Sequence, residues 1–183
     1  YVPFNESWGI DRLKDDKKMQ SLANALYFIA KSIDPTRIVS TNDGWENPDN
    51  TDIVTIHDYS YDAAEFESKY IKADINTIAP ANRAQFANGS KYRGQPILFT
   101  EFGGIAMQTD AKDGSWGYGV GAEDSEAFYN RVKNLIQGIM RCPFQGYCFT
   151  QLTDVQQEVN GLLDSRHNPK FDIGVLNEIF NCR

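Results

Sequence analysis

Short apolar runs alternate along this chain with longer stretches in which apolar residues recur every three or four positions. Runs of consecutive apolar residues predict five β-strands of the kind buried on both faces, at residues 1–6, 37–41, 53–57, 96–101 and 146–151. The three- and four-residue spacing gathers apolar side chains on one face and predicts four helices, at residues 14–33, 63–78, 124–140 and 172–180. Asp34-Pro35 ends the first helix, because a residue before proline avoids helical backbone angles.

The first and third predicted helices have the most regular apolar faces. In the first helix the face expected to point inward comprises Met19, Leu22, Leu26, Ile29, Ala30 and Ile33. In the third it comprises Phe128, Val132, Leu135, Ile136 and Ile139. Strands separated by helices in this way predict an α/β fold, with a parallel sheet that helices cover.

The number of strands leaves two architectures open. A closed (β/α)8 barrel needs eight strands and typically about 250 residues, whereas these 183 residues provide five strands. The chain is therefore either an open α/β sheet or part of a barrel. The sequence has no repeat and no low-complexity linker, so residues 1–183 are expected to form a single domain. It also lacks the glycine-rich nucleotide-binding motifs, which argues against the usual nucleotide-binding sheets.

Each predicted strand ends in polar residues, and two of the strands end in glutamate. These ends are Asn5-Glu6, Asn42-Asp43, His57-Asp58, Thr100-Glu101 and Gln151. The C-terminal ends of parallel strands share one rim, where ligands and catalytic groups gather. Glycoside hydrolysis needs two carboxyl groups, which lie about 5–5.5 Å apart in a retaining enzyme. Either glutamate alone is equally compatible with a capping or salt-bridged structural role.

The residues around the two glutamates resemble the catalytic motifs of glycoside hydrolase family 2, which includes β-galactosidases, β-glucuronidases and β-mannosidases. Asn5-Glu6-Ser7-Trp8-Gly9 is similar to the motif that ends barrel strand four, and residues 99–104 are similar to the motif that ends strand seven. Residues 146–163 and Asn168-Pro169-Lys170 resemble strand eight and the segment after it. The resemblance covers essentially the whole chain. It implies a partial (β/α)8 TIM barrel, strands four to eight with their helices, which is the C-terminal five-eighths of a catalytic barrel.

The resemblance also implies a retaining β-glycoside hydrolase that acts by double displacement. Glu6 would be the acid/base, Glu101 the nucleophile, and Asn5 a ligand of the sugar 2-hydroxyl. Further sugar contacts are expected from strand ends and loops, at His57, Tyr59, Trp45, Trp116 and Gln151. A strand-end histidine is just as often a packed, hydrogen-bonded residue, and loop aromatic residues often form only rim packing.

The identity of the sugar depends on a departure from the family pattern. Family β-glucuronidases carry Asn-x-Lys ahead of the glycine in the loop after strand eight, where the lysine holds the substrate carboxylate. This chain has Glu158-Val159-Asn160-Gly161 there, without a lysine. The departure argues against a glucuronide. The resemblance alone favours a β-galactoside as the substrate.

Two alternatives from other functional classes stay open. The chain could be a non-catalytic carbohydrate-binding or structural fragment of a barrel, weakly active or inactive alone, which self-associates through open sheet edges. It could also be an open α/β protein that binds sugar without turnover. The sequence has no Gly-x-Ser-x-Gly motif, and neither histidine accompanies a poised serine or cysteine, so these nucleophiles have no support.

Charge and composition argue against certain classes of binding partner. The net charge is −7 and charges of both signs are interspersed, which argues against nucleic acid or an anionic membrane surface as a partner. No apolar stretch reaches about 18 residues, so no membrane span is expected. Tyr1 opens directly into a predicted strand, so no signal peptide is expected.

The histidines and cysteines point to no bound group. Two histidines make a histidine-based metal site improbable, and no cofactor is expected. Three cysteines argue against a disulfide framework and favour reduced core thiols, although Cys142 and Cys148 are close enough in sequence to pair. Cys148 lies in an apolar run and is expected to be buried.

Overall fold

The computed structural model describes residues 1–108 and 114–181 and shows a mixed α/β chain with small parallel sheets. Its strands are β1 (Phe4–Asn5), β2 (Asn42–Asp43), β3 (Val54–His57), β4 (Ile97–Glu101) and β5 (Gly146–Tyr147). Its α-helices are α1 (Lys17–Ile33), α2 (Ala63–Tyr70), α3 (Ser125–Arg141) and α4 (Ile173–Phe180), and Pro80–Asn82 form a 3-10 helix. The α/β class predicted from the sequence is confirmed.

The chain divides into two compact units. The first comprises Tyr1–Asp58, Lys72–Thr100 and Pro143–Tyr147, and the second comprises Tyr59–Ile71, Glu101–Cys142 and Cys148–Arg183. The single domain expected for residues 1–183 stays a prediction. None of the helices in the described part of the chain is both long and apolar enough to span a bilayer.

The first unit contains the strand ladders. β1 and β2 pair in parallel with Phe4 opposite Asn42, and β4 lies between β3 and β5 with Leu98 opposite Gly146. Several strands are shorter than predicted because the chain leaves the ladder early. Beyond β5, for example, the pairing continues as an isolated bridge between Gly103 and Thr150.

Helix α1 ends where the sequence predicts but buries a different face. Asp16 caps its start by accepting a hydrogen bond from the Lys18 backbone N–H at 2.8 Å, and Asp34 ends it before Pro35. Its buried residues are Gln20 and Ala23, whereas Ile33 of the expected inward face is 78 % exposed. Among the described residues the core beside α1 is formed by Ile10, Leu13 and Ala23. Met19 of the predicted face packs against this core, but the rest of the face was predicted wrongly.

The second unit is organised by three helices with aspartate caps. Asp62, Asp124 and Asp172 each accept a hydrogen bond from a backbone N–H in the first turn of the following helix. Helix α3 buries all five apolar residues that its spacing predicts, so this face is confirmed. It packs on α2 through Gly138, where a Cβ atom would lie 2.7 Å from the Cβ atom of Ala63.

The cysteine prediction is correct only in part. Cys142 and Cys148 are both reduced thiols, and Cys142 is buried, which raises its pKa to about 11. Cys148, expected to be buried, is exposed, because it follows directly after the last residue of β5 and has left the ladder. Cys182 lies outside the described residues.

Candidate functional site

Glu6 follows the last residue of β1 in a left-handed backbone conformation. The φ angles of Glu6 and Ser7 are 53° and 62°, values that are uncommon for residues other than glycine. The Glu6 backbone N–H donates to the Asp43 carbonyl at 2.9 Å, and the Trp8 N–H donates to the Asn5 carbonyl at 2.8 Å. The chain therefore turns sharply at the end of β1, with Asn5 exposed and Glu6 half-buried beside β2.

His57, the last residue of β3, contacts Glu6. The ring is almost fully buried, and its Nδ1 atom lies 2.9 Å from Glu6 Oε1. Its Nε2 atom lies 3.5 Å from the carboxylate of Asp43, at the end of β2. The ends of three strands thus bring two carboxylates to one imidazole.

The carboxyl group of Asp43 is held as an anion. Burial raises its pKa, but the interaction with His57 and the hydrogen bonds with Thr100 and Thr55 together outweigh burial, and the pKa lies below its ordinary value. The Thr100 hydroxyl also donates to Asp43 Oδ1 at 2.8 Å. Asp43 thereby faces the far nitrogen of His57 while the near nitrogen faces Glu6.

The position of His57 depends on the segment after β2. Gly44 has φ +101°, and a Cβ atom there would lie 2.8 Å from His57 Nδ1, so only glycine leaves room for the ring. The Trp45 ring packs edge-on against His57 with centroids 5.9 Å apart, and the Arg83 guanidinium lies 5.8 Å from the Trp45 centroid. Trp45 is buried, so its expected contact with sugar stays a prediction.

Glu101, the last residue of β4, has an aromatic partner in the second unit. The Tyr59 hydroxyl donates a short hydrogen bond to Glu101 Oε2. Burial, followed by the charge of Glu101 and this hydrogen bond, raises the pKa of Tyr59 far above its ordinary value. Tyr59 therefore stays protonated and serves Glu101 as a permanent donor.

Two further aromatic rings extend from Tyr59. Its ring stacks on Tyr118 with centroids 3.5 Å apart and planes 2° from parallel, and Trp116 meets Tyr118 edge-on at 5.6 Å. Gly104 makes this approach possible, because a Cβ atom there would lie 2.4 Å from the Tyr118 ring. The Trp116 side chain is 47 % exposed, so part of its ring surface is accessible. This ring belongs to the same aromatic cluster as Tyr59, the partner of Glu101.

The loop after β5 supplies polar groups next to these rings. The Trp116 N–H donates to the Gln157 carbonyl at 2.8 Å, and the Val159 N–H donates to the Trp116 carbonyl at 3.0 Å. Asn160 is fully buried and donates to Glu158 Oε1 at 3.1 Å. Among the described residues, the Asn160 carbonyl oxygen and the buried Gln151 amide nitrogen have no hydrogen-bond partner.

The structure groups the predicted site residues into two sets. Glu6 and His57 lie together in the first unit, where Asn5 and Trp45 adjoin them. Glu101 and Tyr59 lie together in the second unit, and Trp116 joins them through Tyr118. Asp43 and Tyr118 were not among the predicted catalytic or sugar-binding residues, although Asp43 belongs to a polar strand end and Tyr118 to an aromatic-rich loop.

Comparisons with solved structures find a similar fold in glycosidases. A glycoside hydrolase family 2 β-galacturonidase from Eisenbergiella tayi, bound to glycerol, is 17% identical with a TM-score of 0.60, over 93% of this chain and 31% of that one. A Bifidobacterium dentium β-glucuronidase in complex with coumarin-3-O-glucuronide is 19% identical with a TM-score of 0.54, over 90% of this chain and 27% of that one. A β-D-glucuronidase from Dictyoglomus thermophilum is 14% identical with a TM-score of 0.58, over 91% of this chain and 29% of that one.

These likenesses support a fold like that of family 2 glycosidases, since the identities are too low to indicate more. This chain spans less than a third of each of the three proteins. No protein-family model matches the chain, and neither does any curated protein.

Proposed function

We propose that this chain carries the two catalytic glutamates of a retaining β-glycoside hydrolase. Glu101 is the nucleophile and Glu6 the acid/base. The observation that carries the proposal is that each strand-end glutamate has a dedicated partner suited to its chemical role. Glu101 has a permanently protonated phenol, and Glu6 has a buried imidazole. The likeness to solved glycosidases supports the same reaction class.

In the first step Glu101 attacks the anomeric carbon. A bond forms between a Glu101 oxygen and this carbon, the bond to the leaving oxygen breaks, and Glu6 gives its proton to that oxygen. Tyr59 donates to Glu101 Oε2 during this step. In the second step water attacks the anomeric carbon, Glu6 takes a proton from the water, and Glu101 is released as the carboxylate.

The proposed scaffold is part of a (β/α)8 barrel, strands four to eight with their helices. Support comes from the parallel pairing of the strands, from the polar residues at their C-terminal ends, and from likeness over at least 90% of this chain to each of the three glycosidases. Only part of a barrel is proposed because this chain corresponds to less than a third of each of them.

A neutral β-glycoside, with β-galactoside first, is the proposed substrate. Glu158 shares a backbone bridge with Trp116, and residues directly opposite in a parallel bridge project to the same side. An acidic residue beside the Trp116 ring repels an anionic sugar and accepts hydrogen bonds from neutral hydroxyls. The uronic acid substrates named for the three glycosidases are therefore not proposed for this chain.

The test replaces each glutamate by glutamine in the intact protein. We expect Glu6→Gln to lower turnover of a poorly activated β-galactoside by about 10²- to 10⁴-fold, the usual contribution of general acid catalysis. Glu101→Gln removes the nucleophile and is expected to leave only background hydrolysis. A panel of chromogenic β-galactoside, β-glucoside and β-glucuronide reports the sugar. Near-normal turnover by both variants would sink the assignment.

A second candidate concerns the isolated chain, which could act as a non-catalytic barrel fragment. An exposed apolar face favours it: Val2, Pro3, Leu26, Ile29 and Ile33 line a groove of about 440 Å³ along α1. Exposed apolar surface of this kind marks a site of association. The isolated chain is therefore expected to self-associate and to turn over substrate weakly. A monomer by light scattering with full activity would exclude this candidate.

A further inference from the structure

A buried carboxylate in the first unit takes no part in the proposed chemistry but bonds to the residue next to Glu6. Glu46 lies two residues after Gly44, and its side chain is only 5 % exposed. Its Oε2 atom accepts a hydrogen bond from the Ser7 hydroxyl at 2.7 Å. A buried charge is costly unless it is paired, so this carboxylate requires an explanation.

Both oxygens of Glu46 are occupied. Oε1 accepts from Arg83 Nε at 3.1 Å and lies 2.8 Å from an Arg83 terminal nitrogen, so one guanidinium neutralises the carboxylate. The other oxygen is left for Ser7. Arg83 is 44 % exposed, and its charge is therefore partly solvated while that of Glu46 is not. The pair thus presents one fixed acceptor oxygen to Ser7.

Ser7 is held on three sides. Its backbone N–H donates to Asn42 Oδ1 at 2.9 Å, its hydroxyl donates to Glu46, and that hydroxyl also accepts from Asn42 Nδ2 at 3.1 Å. Ser7 is buried and has a left-handed backbone, a conformation that persists only where its surroundings impose it. Glu6 shares this conformation and is directly bonded to Ser7.

We propose that Glu46 is a positioning residue for the acid/base: through Ser7 it fixes the left-handed turn that directs the Glu6 carboxyl group to His57 Nδ1. This inference rests on the proposed role of Glu6. It adds Glu46, Ser7 and Arg83 as supports of that role, and none of the three touches substrate. Misplacement of a reacting group by about 1 Å can lower a rate about 10²-fold, so such supports have measurable effects.

The decisive variant is Glu46→Gln in the intact protein. Glutamine keeps the volume but has only one acceptor oxygen, which cannot serve both Ser7 and Arg83. If that oxygen stays with Arg83, the amide nitrogen faces Ser7, whose hydroxyl proton then loses its acceptor. Asp49→Asn is the matched control, because it makes the same chemical change three residues away in an exposed ion pair with Arg93.

The readout is the dependence of kcat/KM on the leaving group. An alkyl β-glycoside needs the proton from Glu6 when its bond breaks, whereas a dinitrophenyl glycoside leaves without one. We expect Glu46→Gln to lower kcat/KM about 10- to 100-fold for the alkyl glycoside, part of the full contribution of general acid catalysis. For the dinitrophenyl glycoside we expect a change of less than about 3-fold, since Glu101 is untouched. The Asp49→Asn control should match the unmodified protein on both substrates.

Two outcomes overturn the inference. An equal loss of kcat/KM on both substrates means that Glu46 supports the folded structure in general and not Glu6 in particular. Unchanged kcat/KM on both substrates means that Glu46 does not contribute to positioning Glu6. Glu6→Ala separates this result from the proposed function: if Glu6→Ala itself shows no leaving-group dependence, the acid/base assignment fails first. If Glu46→Gln does not fold, Ser7→Ala, which removes only one hydroxyl group, is measured in the same way and carries the same expectation.

Discussion

The two glutamates are held by different kinds of surroundings. Glu6, in the first unit, lies among ionisable and hydrogen-bonding groups, namely His57, Asp43 and the Ser7–Glu46 pair. Glu101, in the second unit, has an aromatic partner, the Tyr59 ring stacked on Tyr118. An acid/base has to gain and lose a proton in each cycle, and a nucleophile has to stay an anion. The difference between the two surroundings is compatible with the roles proposed for Glu6 and Glu101.

The largest expected loss of stability comes from replacing Gly103, a glycine against which an aromatic ring packs closely. Gly103 has φ +89°, and a Cβ atom there would lie 2.3 Å from the Phe149 ring. Gly103→Ala therefore combines backbone strain of about 1–2 kcal/mol with overpacking of about 1–3 kcal/mol. We expect it to lower the free energy of unfolding by about 2–5 kcal/mol in urea titrations.

Gly94→Ala is the control for Gly103→Ala. Gly94 has a similar φ of +90°, but no atom lies within 4 Å of its added Cβ. Its cost is then the backbone strain alone, about 1–2 kcal/mol. Equal losses for the two variants would mean that the Phe149 ring moves freely, and the tight packing after Glu101 would not hold.

The second effect tests the phenol that serves Glu101. Tyr59→Phe removes a hydrogen bond to a charged group, which is worth about 1.5–3 kcal/mol, or roughly 10- to 150-fold in rate. We expect kcat/KM to fall by that factor for alkyl and dinitrophenyl glycosides alike, because in the proposed displacement the same bond to Glu101 forms whichever group leaves. This pattern is opposite to the one expected for Glu46→Gln.

Tyr61→Phe provides the control for Tyr59→Phe. It makes the same chemical change two residues away, where the Tyr61 ring face meets the Arg131 guanidinium at 4.1 Å and phenylalanine preserves that contact. Activity should stay within about 2-fold, as for other substitutions away from a special contact. A leaving-group dependence in Tyr59→Phe would contradict the separate roles assigned to the two glutamates.

The sequence predicted local features more accurately than long-range ones. Asp34-Pro35 and the aspartates at 124 and 172 identify helix ends by chemistry within a few residues, and the structure confirms them. The exposed face of α1 could not be predicted, because periodicity shows which side chains share a face but not whether another element covers it. Cys148 was misassigned for a related reason, since an apolar run does not show where ladder pairing stops.

The candidate site could be predicted in its strand ends but not in its contacts. Polar residues at the ends of predicted strands pointed to Glu6, His57 and Glu101, because the ends of parallel strands share one rim. The Glu46–Ser7 hydrogen bond joins residues 39 positions apart and depends on left-handed angles at Glu6 and Ser7. Neither glutamate nor serine favours the left-handed conformation strongly enough for the sequence to predict it.

The third effect concerns the acid dependence of the first unit. Because the pKa of Asp43 is lowered on folding, its contribution to stability is present above the ordinary value of 3.8 and is lost as pH falls through the lower folded value. We expect the free energy of unfolding to decrease in that acid range, and Asp43→Asn to remove part of the decrease. Urea titrations from neutral pH down to the acid limit, with Asp49→Asn alongside, measure it. An unchanged acid slope in Asp43→Asn would mean that the folded surroundings, His57 and Thr100 among them, do not stabilise this carboxylate.

The smallest expected effect tests whether the difference between the two units is confined to the surroundings of Glu6 and Glu101. Each unit carries an exposed ion pair, Asp49 with Arg93 in the first and Glu67 with Arg141 in the second. Exposed pairs contribute about 0–1 kcal/mol and are screened by salt. Asp49→Asn and Glu67→Gln should therefore each change the free energy of unfolding by less than about 1 kcal/mol, with the difference fading in about 1 M salt. A large loss in one unit alone would mean that its surface charges support its glutamate, and the contrast would then extend beyond the buried contacts of Glu6 and Glu101.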